Sequence, residues 1–162
     1  MGRPPRTALP DGYFHVFARG VRGSEIFLDD RDRRAFLNLL SSQPEQAWVC
    51  HAFTLLPTHY HLVLETTRQR LSTGLQRLNG RYARYFNRRH TLFGHVFAER
   101  FSARLIESDE YLFDACEYVL LNPVKAGLCE RVEDWSWSYS RFRPEVPRLV
   151  ITPPQVQIPS GP

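Results

Sequence analysis

Residues 48–66 hold two β-favouring runs joined by a turn at Pro57 and Thr58, and this stretch narrows the fold more than any other. The first run, 48–56, stops where proline removes a backbone donor. The second, 60–66, reads Tyr-His-Leu-Val-Leu-Glu-Thr. Strands joined by so short a turn must lie antiparallel, because a parallel pair needs a crossover of about a dozen residues or more. Leu55, Leu56, Leu62, Val63 and Leu64 leave little room for a solvated face, so this hairpin belongs at the centre of a sheet. His59 and His61 stand two apart and therefore project from the same side of it.

The remaining elements arrange themselves around that hairpin. Residues 12–21 alternate aromatic or apolar with polar side chains and form a first strand, followed by a turn at Gly20 and Gly23. Residues 29–43 form a helix, capped by Asp29 or Asp30, with Phe36, Leu37, Leu39 and Leu40 as its buried stripe. After the hairpin, Leu71, Leu75, Leu78, Tyr82 and Tyr85 recur at spacings of three and four, a second helix with arginines on its other face. A fourth strand follows at 101–106. Ser108 then caps a third helix over 109–121, which Pro123 is expected to end, with Gly127 supporting the stop. The order βαββαβ plus one further helix predicts an α+β, ferredoxin-like antiparallel sheet with helices on one face and an additional C-terminal helix. The domain is expected to span residues 1–143, and 144–162, with six prolines, to form an extended tail. The fold hosts many unrelated activities and decides none of them.

Charge says more about function. The chain carries +4 overall, yet residues 68–104 hold nine arginines and one glutamate, which leaves +8 there and −4 elsewhere. A segregated field of this kind suits a polyanion. Its best candidates for phosphate contact are Arg84, Arg88 and Arg89, with Arg81, Arg100 and Arg104 beside them. Tyr82, Tyr85, Phe86, Phe93 and Phe97 lie in the same segment and could stack on unpaired bases, although at least half of the first three should be core. No apolar run of about 18 residues is present, and no leader-like segment follows the N-terminal methionine, so a cytoplasmic, nucleoid-associated protein with no membrane contact is expected. Three widely spaced cysteines with no CxxC pair argue against a structural zinc or a disulfide framework.

On the third helix Tyr118 and Asn122 are i and i+4, one above the other. An amide oxygen can complete a cation site begun by two imidazoles, and the tyrosine would then stand beside that cation. Taken alone, Tyr-x-x-x-Asn is as well explained by a core tyrosine and a helix stop. The histidine pair is likewise compatible with two polar residues on an open sheet face.

The motifs in combination resolve more. THYHLVLET, RYFNRRH with GHVFAERFSA, EYVLLNPVKAGL and DWSWSYS occur in the order found in the REP-associated tyrosine transposases, and the chain resembles that family from about Tyr13 to Phe142. The family is part of the HUH superfamily of single-strand nucleases that use one catalytic tyrosine. By position, the resemblance implies His59, His61 and Asn122 as ligands of a divalent metal, Mg²⁺ or Mn²⁺, and Tyr118 as the nucleophile. Tyr111, two turns earlier, is the competing tyrosine but has no amide at i+4. Where the family often has Pro-Asn before the histidines, this chain has Pro57-Thr58, read as part of the turn and not of the site. The implied activity is cleavage and rejoining of single-stranded DNA at palindromic hairpins through a 5′-phosphotyrosine link. A monomer is favoured, with a dimer as the alternative. Two other readings compete: a catalytically idle DNA-binding protein of the same fold, and a small-molecule metallo-hydrolase, which would have no use for the +8 segment.

Overall fold

The computed structural model describes residues 12–42 and 48–146. The elements are β1 (Gly12–Arg19), α1 (Asp30–Ser41), β2 (Val49–Leu55), β3 (His59–Thr66), α2 (Arg68–His90), β4 (Ser102–Ile106), α3 (Asp109–Lys125) and β5 (Ser138–Ser140). The sheet runs β4-β1-β3-β2-β5, with every neighbouring pair antiparallel. Its first four strands are the expected ferredoxin-like sheet, and the 48–66 hairpin supplies two of the three interior strands, β2 becoming interior only because β5 pairs with it. The short β5 is the addition that the sequence did not announce. Three residues offer too little alternation to be read as a strand, and they hold only by pairing with β2.

Alternation divides the sheet into two faces. Phe14, Val16 and Ala18 of β1 and Tyr60, Leu62 and Leu64 of β3 join Phe36, Leu37 and Leu40 of α1 and Leu71, Leu75, Leu78, Tyr82 and Phe86 of α2 in the main core. Burying each large apolar side chain there contributes on the order of 1.5–3 kcal/mol. The opposite face carries Ala52, Val63 and Ile106 against Leu112, Cys116 and Val119 of α3. The two early helices thus share one face, and the additional helix has the other to itself.

Local chemistry fixes the helix ends. The Asp29 carboxylate accepts from the Asp32 amide, 3.0 Å away, and caps α1, one of the two residues expected to do so. The Ser108 hydroxyl accepts from the Tyr111 amide at 3.1 Å and caps α3 as predicted. The end of α3 departs from expectation. The helix passes through Pro123 to Lys125 and stops at Ala126. Pro123 forgoes the backbone bond to the Val119 carbonyl and crowds that oxygen, and only two helical residues follow it. The stop belongs instead to Gly127, at φ +74°: its amide donates to the Val124 carbonyl and that of Leu128 to the Pro123 carbonyl, 3.0 Å each, a Schellman closure.

The DWSWSYS motif ties the C-terminal segment to this frame. Trp135 donates its indole N–H to the Leu55 carbonyl at 3.2 Å, and Trp137 donates to Asp30 at 2.9 Å. Val146 is buried with Leu120 and Val132, so the chain is still packed two residues past Pro144. Of the expected tail, residues 147–162 lie outside the described residues.

Candidate active site

Because His15, Phe17, His59 and His61 all point to the α3 side of the sheet, one helix is enough to complete a site over them. A cavity of about 580 Å³ lies there, lined by His15 and Phe17 of β1, His61 of β3, Ser102 and Arg104 of β4, and Ala115 and Tyr118 of α3. The Tyr118 ring stands edge-on to His61, centroids 6.0 Å apart, and edge-on to His15 at 5.5 Å. Tyr118 is 43% exposed, so a ligand entering the cavity can reach it. Tyr111 is exposed on the first turn of α3, with no ring contact among the described residues.

His59 and His61 stand together as expected, ring centroids 5.3 Å apart. Each has one nitrogen occupied. Nδ1 of His59 lies 3.0 Å from the Thr58 hydroxyl, and Nδ1 of His61 lies 3.0 Å from Nε2 of His15. Among the described residues neither Nε2 has a hydrogen-bond partner, and of the two rings only His61 lines the cavity. Burial lowers the proton affinity of His59. Burial, and then His15 and His59, push His61 down to about 3. Neutral imidazoles with Nδ1 held and Nε2 free are the form in which histidine ligates a metal. In that form the pair could offer two nitrogen donors to a divalent cation. Among the described residues no three His, Cys, Asp or Glu side chains gather into a metal-holding group, so a third donor has to be of another kind.

Asn122 is the expected third donor, and the structure places it half-buried one turn beyond Tyr118. Its Nδ2 donates to the Tyr118 carbonyl at 2.8 Å, which leaves Oδ1 as the amide atom turned away from that bond. Asn122 does not line the cavity that His61 and Tyr118 share.

Three neighbours were not identified as site residues from sequence. His15 contacts both His61 and Tyr118; its place on the alternating first strand was legible, but the register that sets it near His61 was not. Thr58, read only as a turn residue, holds His59. The Lys125 ammonium lies over the Tyr118 ring, 4.6 Å from its centroid, and its i+7 spacing on the helix could have found it.

The basic segment divides. Arg81, Arg84 and Arg88 are exposed along α2, Arg100 is exposed on the following segment, and Arg104 is exposed on β4 where it also lines the cavity. Arg89 is differently occupied. Its guanidinium binds Asp29 at 2.6 and 2.7 Å and Asp32 at 2.6 Å, so its fork already holds two carboxylates and joins α2 to the start of α1. Of the aromatic candidates, Tyr82 and Phe86 are core, Tyr85 and Phe97 are half-buried, and Phe93 is 94% exposed. A second cavity, of about 670 Å³, runs between α2 and residues 94–101 and includes Arg100.

Comparison with known proteins gives a consistent picture. No protein-family profile matches the chain. A Haemophilus influenzae (strain Rd) protein, provisionally named a REP-associated tyrosine transposase, is 30% identical over 59% of this chain and 59% of its own length. This chain thus spans somewhat more than half of that curated relative. A solved structure of a REP-associated tyrosine transposase bound to a REP hairpin superposes with a TM-score of 0.65 at 18% identity, covering 85% of this chain and 82% of the other. A second solved structure, of a protein provisionally named a transposase from Deinococcus radiodurans R1, gives 0.50 at 14% identity, covering 73% of this chain and 95% of that one. In class, the described residues form a five-stranded antiparallel sheet with three α-helices, the fold of that hairpin-bound transposase structure. More particularly, it resembles the REP-associated tyrosine transposases in sequence over the matched part and in fold over most of its length, as the motifs led one to expect.

Among the described residues no helix is long and apolar enough to cross a membrane.

Proposed function

We propose that this chain is a transposase that cuts and rejoins single-stranded DNA at palindromic hairpins, with Tyr118 as nucleophile and a divalent metal, Mg²⁺ or Mn²⁺, held by His59, His61 and Asn122. The observation that carries this reading is the placing of a half-exposed phenol in one cavity with His61 and an arginine.

A free phenol, with a pKa of about 10, is a weak nucleophile at neutral pH. The cation, when bound, would draw charge from the scissile phosphate and align it for in-line attack. The chain's own residues do the rest. Arg104, beside the cavity, binds a phosphate oxygen and holds the strand. The Tyr118 hydroxyl forms a bond to phosphorus as the bond to the 3′-oxygen breaks. The phenolic proton goes to solvent and the 3′-oxygen takes one up. The phosphotyrosine diester keeps the energy of the broken bond, so a 3′-hydroxyl can attack it and reseal a strand without a nucleotide cofactor. Lys125, over the ring, keeps a positive charge at the tyrosine while phosphate is there.

Arg81, Arg84 and Arg88 would track the phosphates of a hairpin stem, and Phe93 could stack on an unpaired base. Only Glu107 and Ser108 connect β4 to α3, a link short enough to favour a site completed within one chain. The test is incubation of the protein with Mn²⁺ and single-stranded DNA carrying the hairpins that flank its gene, scored for a covalent adduct on a denaturing gel. The wild type should form one; Tyr118→Phe should form none while still binding the hairpin. An adduct that survives in Tyr118→Phe removes the assignment. Hairpin binding with no adduct in the wild type favours the idle DNA-binding protein.

A further inference from the structure

We infer that His15 is a positioning residue, which accepts the Nδ1 proton of His61 and so fixes the tautomer in which the Nε2 lone pair of His61 is free. This deepens the reading of His61 as a metal ligand and rests on it.

Nε2 of His15 and Nδ1 of His61 are 3.0 Å apart, and the two rings stack at 5.2 Å with 28° between planes. Two neutral imidazoles at that distance share one proton, which leaves two arrangements. In one, His61 donates from Nδ1 and keeps a lone pair on Nε2. In the other, His15 donates, the proton of His61 moves to Nε2, and neither nitrogen of His61 can ligate. The choice made at His15 therefore decides whether His61 is a donor to a cation at all. His15 lines the same cavity as His61 and presents its Nε2 to that ring's Nδ1. The other histidine is held in the same manner, with the Thr58 hydroxyl at its Nδ1. His15 also lies edge-on to the Tyr118 ring at 5.5 Å, so the residue that sets the ligand's tautomer braces the phenol as well.

Long-range ¹⁵N spectra of the metal-free wild type should show the His61 proton on Nδ1. Titration with Mn²⁺ alone, followed by calorimetry, should then rank four proteins. His61→Ala should lose binding at this site. His15→Ala should weaken it about 10- to 100-fold, the usual cost of losing the group that orients a ligating histidine. His15→Gln, whose amide oxygen can accept the same proton, should recover most of the loss, which a merely space-filling role would not predict. The inference is overturned by wild-type Mn²⁺ affinity in His15→Ala, by no recovery in His15→Gln, or by a wild-type spectrum with the His61 proton on Nε2. The spectrum decides even if His15→Ala fails to fold. Unchanged Mn²⁺ affinity in His61→Ala would overturn the metal site itself, and this inference with it.

Discussion

His51 is the extra residue in β2, where the register with β3 shifts between Cys50 and Ala52. It is fully buried, and a neutral ring satisfies its surroundings: Nε2–H donates to Glu65 at 2.7 Å and Nδ1 accepts from Arg141 at 3.1 Å. Burial lowers its proton affinity below the ordinary 6.5; Glu65 opposes that shift in part, and Arg141 adds to it. Below about 6.5 the unfolded chain takes up a proton that the folded chain refuses, so acid favours unfolding. The contribution is complete above that pH and is lost on the way down. The urea midpoint should thus fall more steeply from pH 7 to pH 5 in the wild type than in His51→Gln, whose amide can make both bonds without titrating. Equal slopes would mean that His51 does not report on acid stability. At this scale the sequence is legible where partners are close in the chain. His59 and His61 declare their shared face by alternation alone. His15 and His51 do not, since their partners lie 46 and 14 residues away and depend on register and a bulge.

For the elements, what local pattern decides was readable and what a distant partner decides was not. The caps of α1 and α3 and the Gly127 stop follow from residues within a turn of each other. The path of α3 through Pro123 does not follow from the dipeptide rule, which weighs a proline without knowing how close the helix is to its end. Arg88 and Arg89 illustrate the same limit. Neighbours on a helix point about 100° apart, so they cannot face one surface equally. Arg89 turns to the capping end of α1, whereas Arg88 stays exposed. Replacing Arg84 and Arg88 with alanine should flatten the dependence of log affinity on log salt by roughly 0.7–0.9 per lost phosphate contact. Arg89→Ala should leave that slope unchanged and lower the thermal midpoint, because it leaves buried Asp32 with a lost partner. A flattened slope in Arg89→Ala would return it to the DNA surface.

Across the whole molecule, the two-sided sheet explains how a chain of this size carries both a core and a reactive surface. One face is committed to α1 and α2; the other is covered by α3 alone, and along the edge of that helix the cavity remains open. The sequence showed the βαββαβ order and the extra helix. It could not show which face the extra helix would take, because an apolar stripe fits either side of a sheet. The segregation of positive charge was also legible, being a property of order along the chain.

Lys125 is the single lysine in 162 residues, and its ammonium sits over the ring of Tyr118. Protein grown with lysine ¹³C-labelled at Cε alone will therefore give one labelled methylene signal, its protons displaced upfield by the aromatic ring current. Loss of that displacement in Tyr118→Leu would verify its origin, and an unshifted signal in the wild type would refute the contact. The chain thus contains its own spectroscopic probe, through which esterification of the phenol could be followed in solution without a tag or a radiolabel.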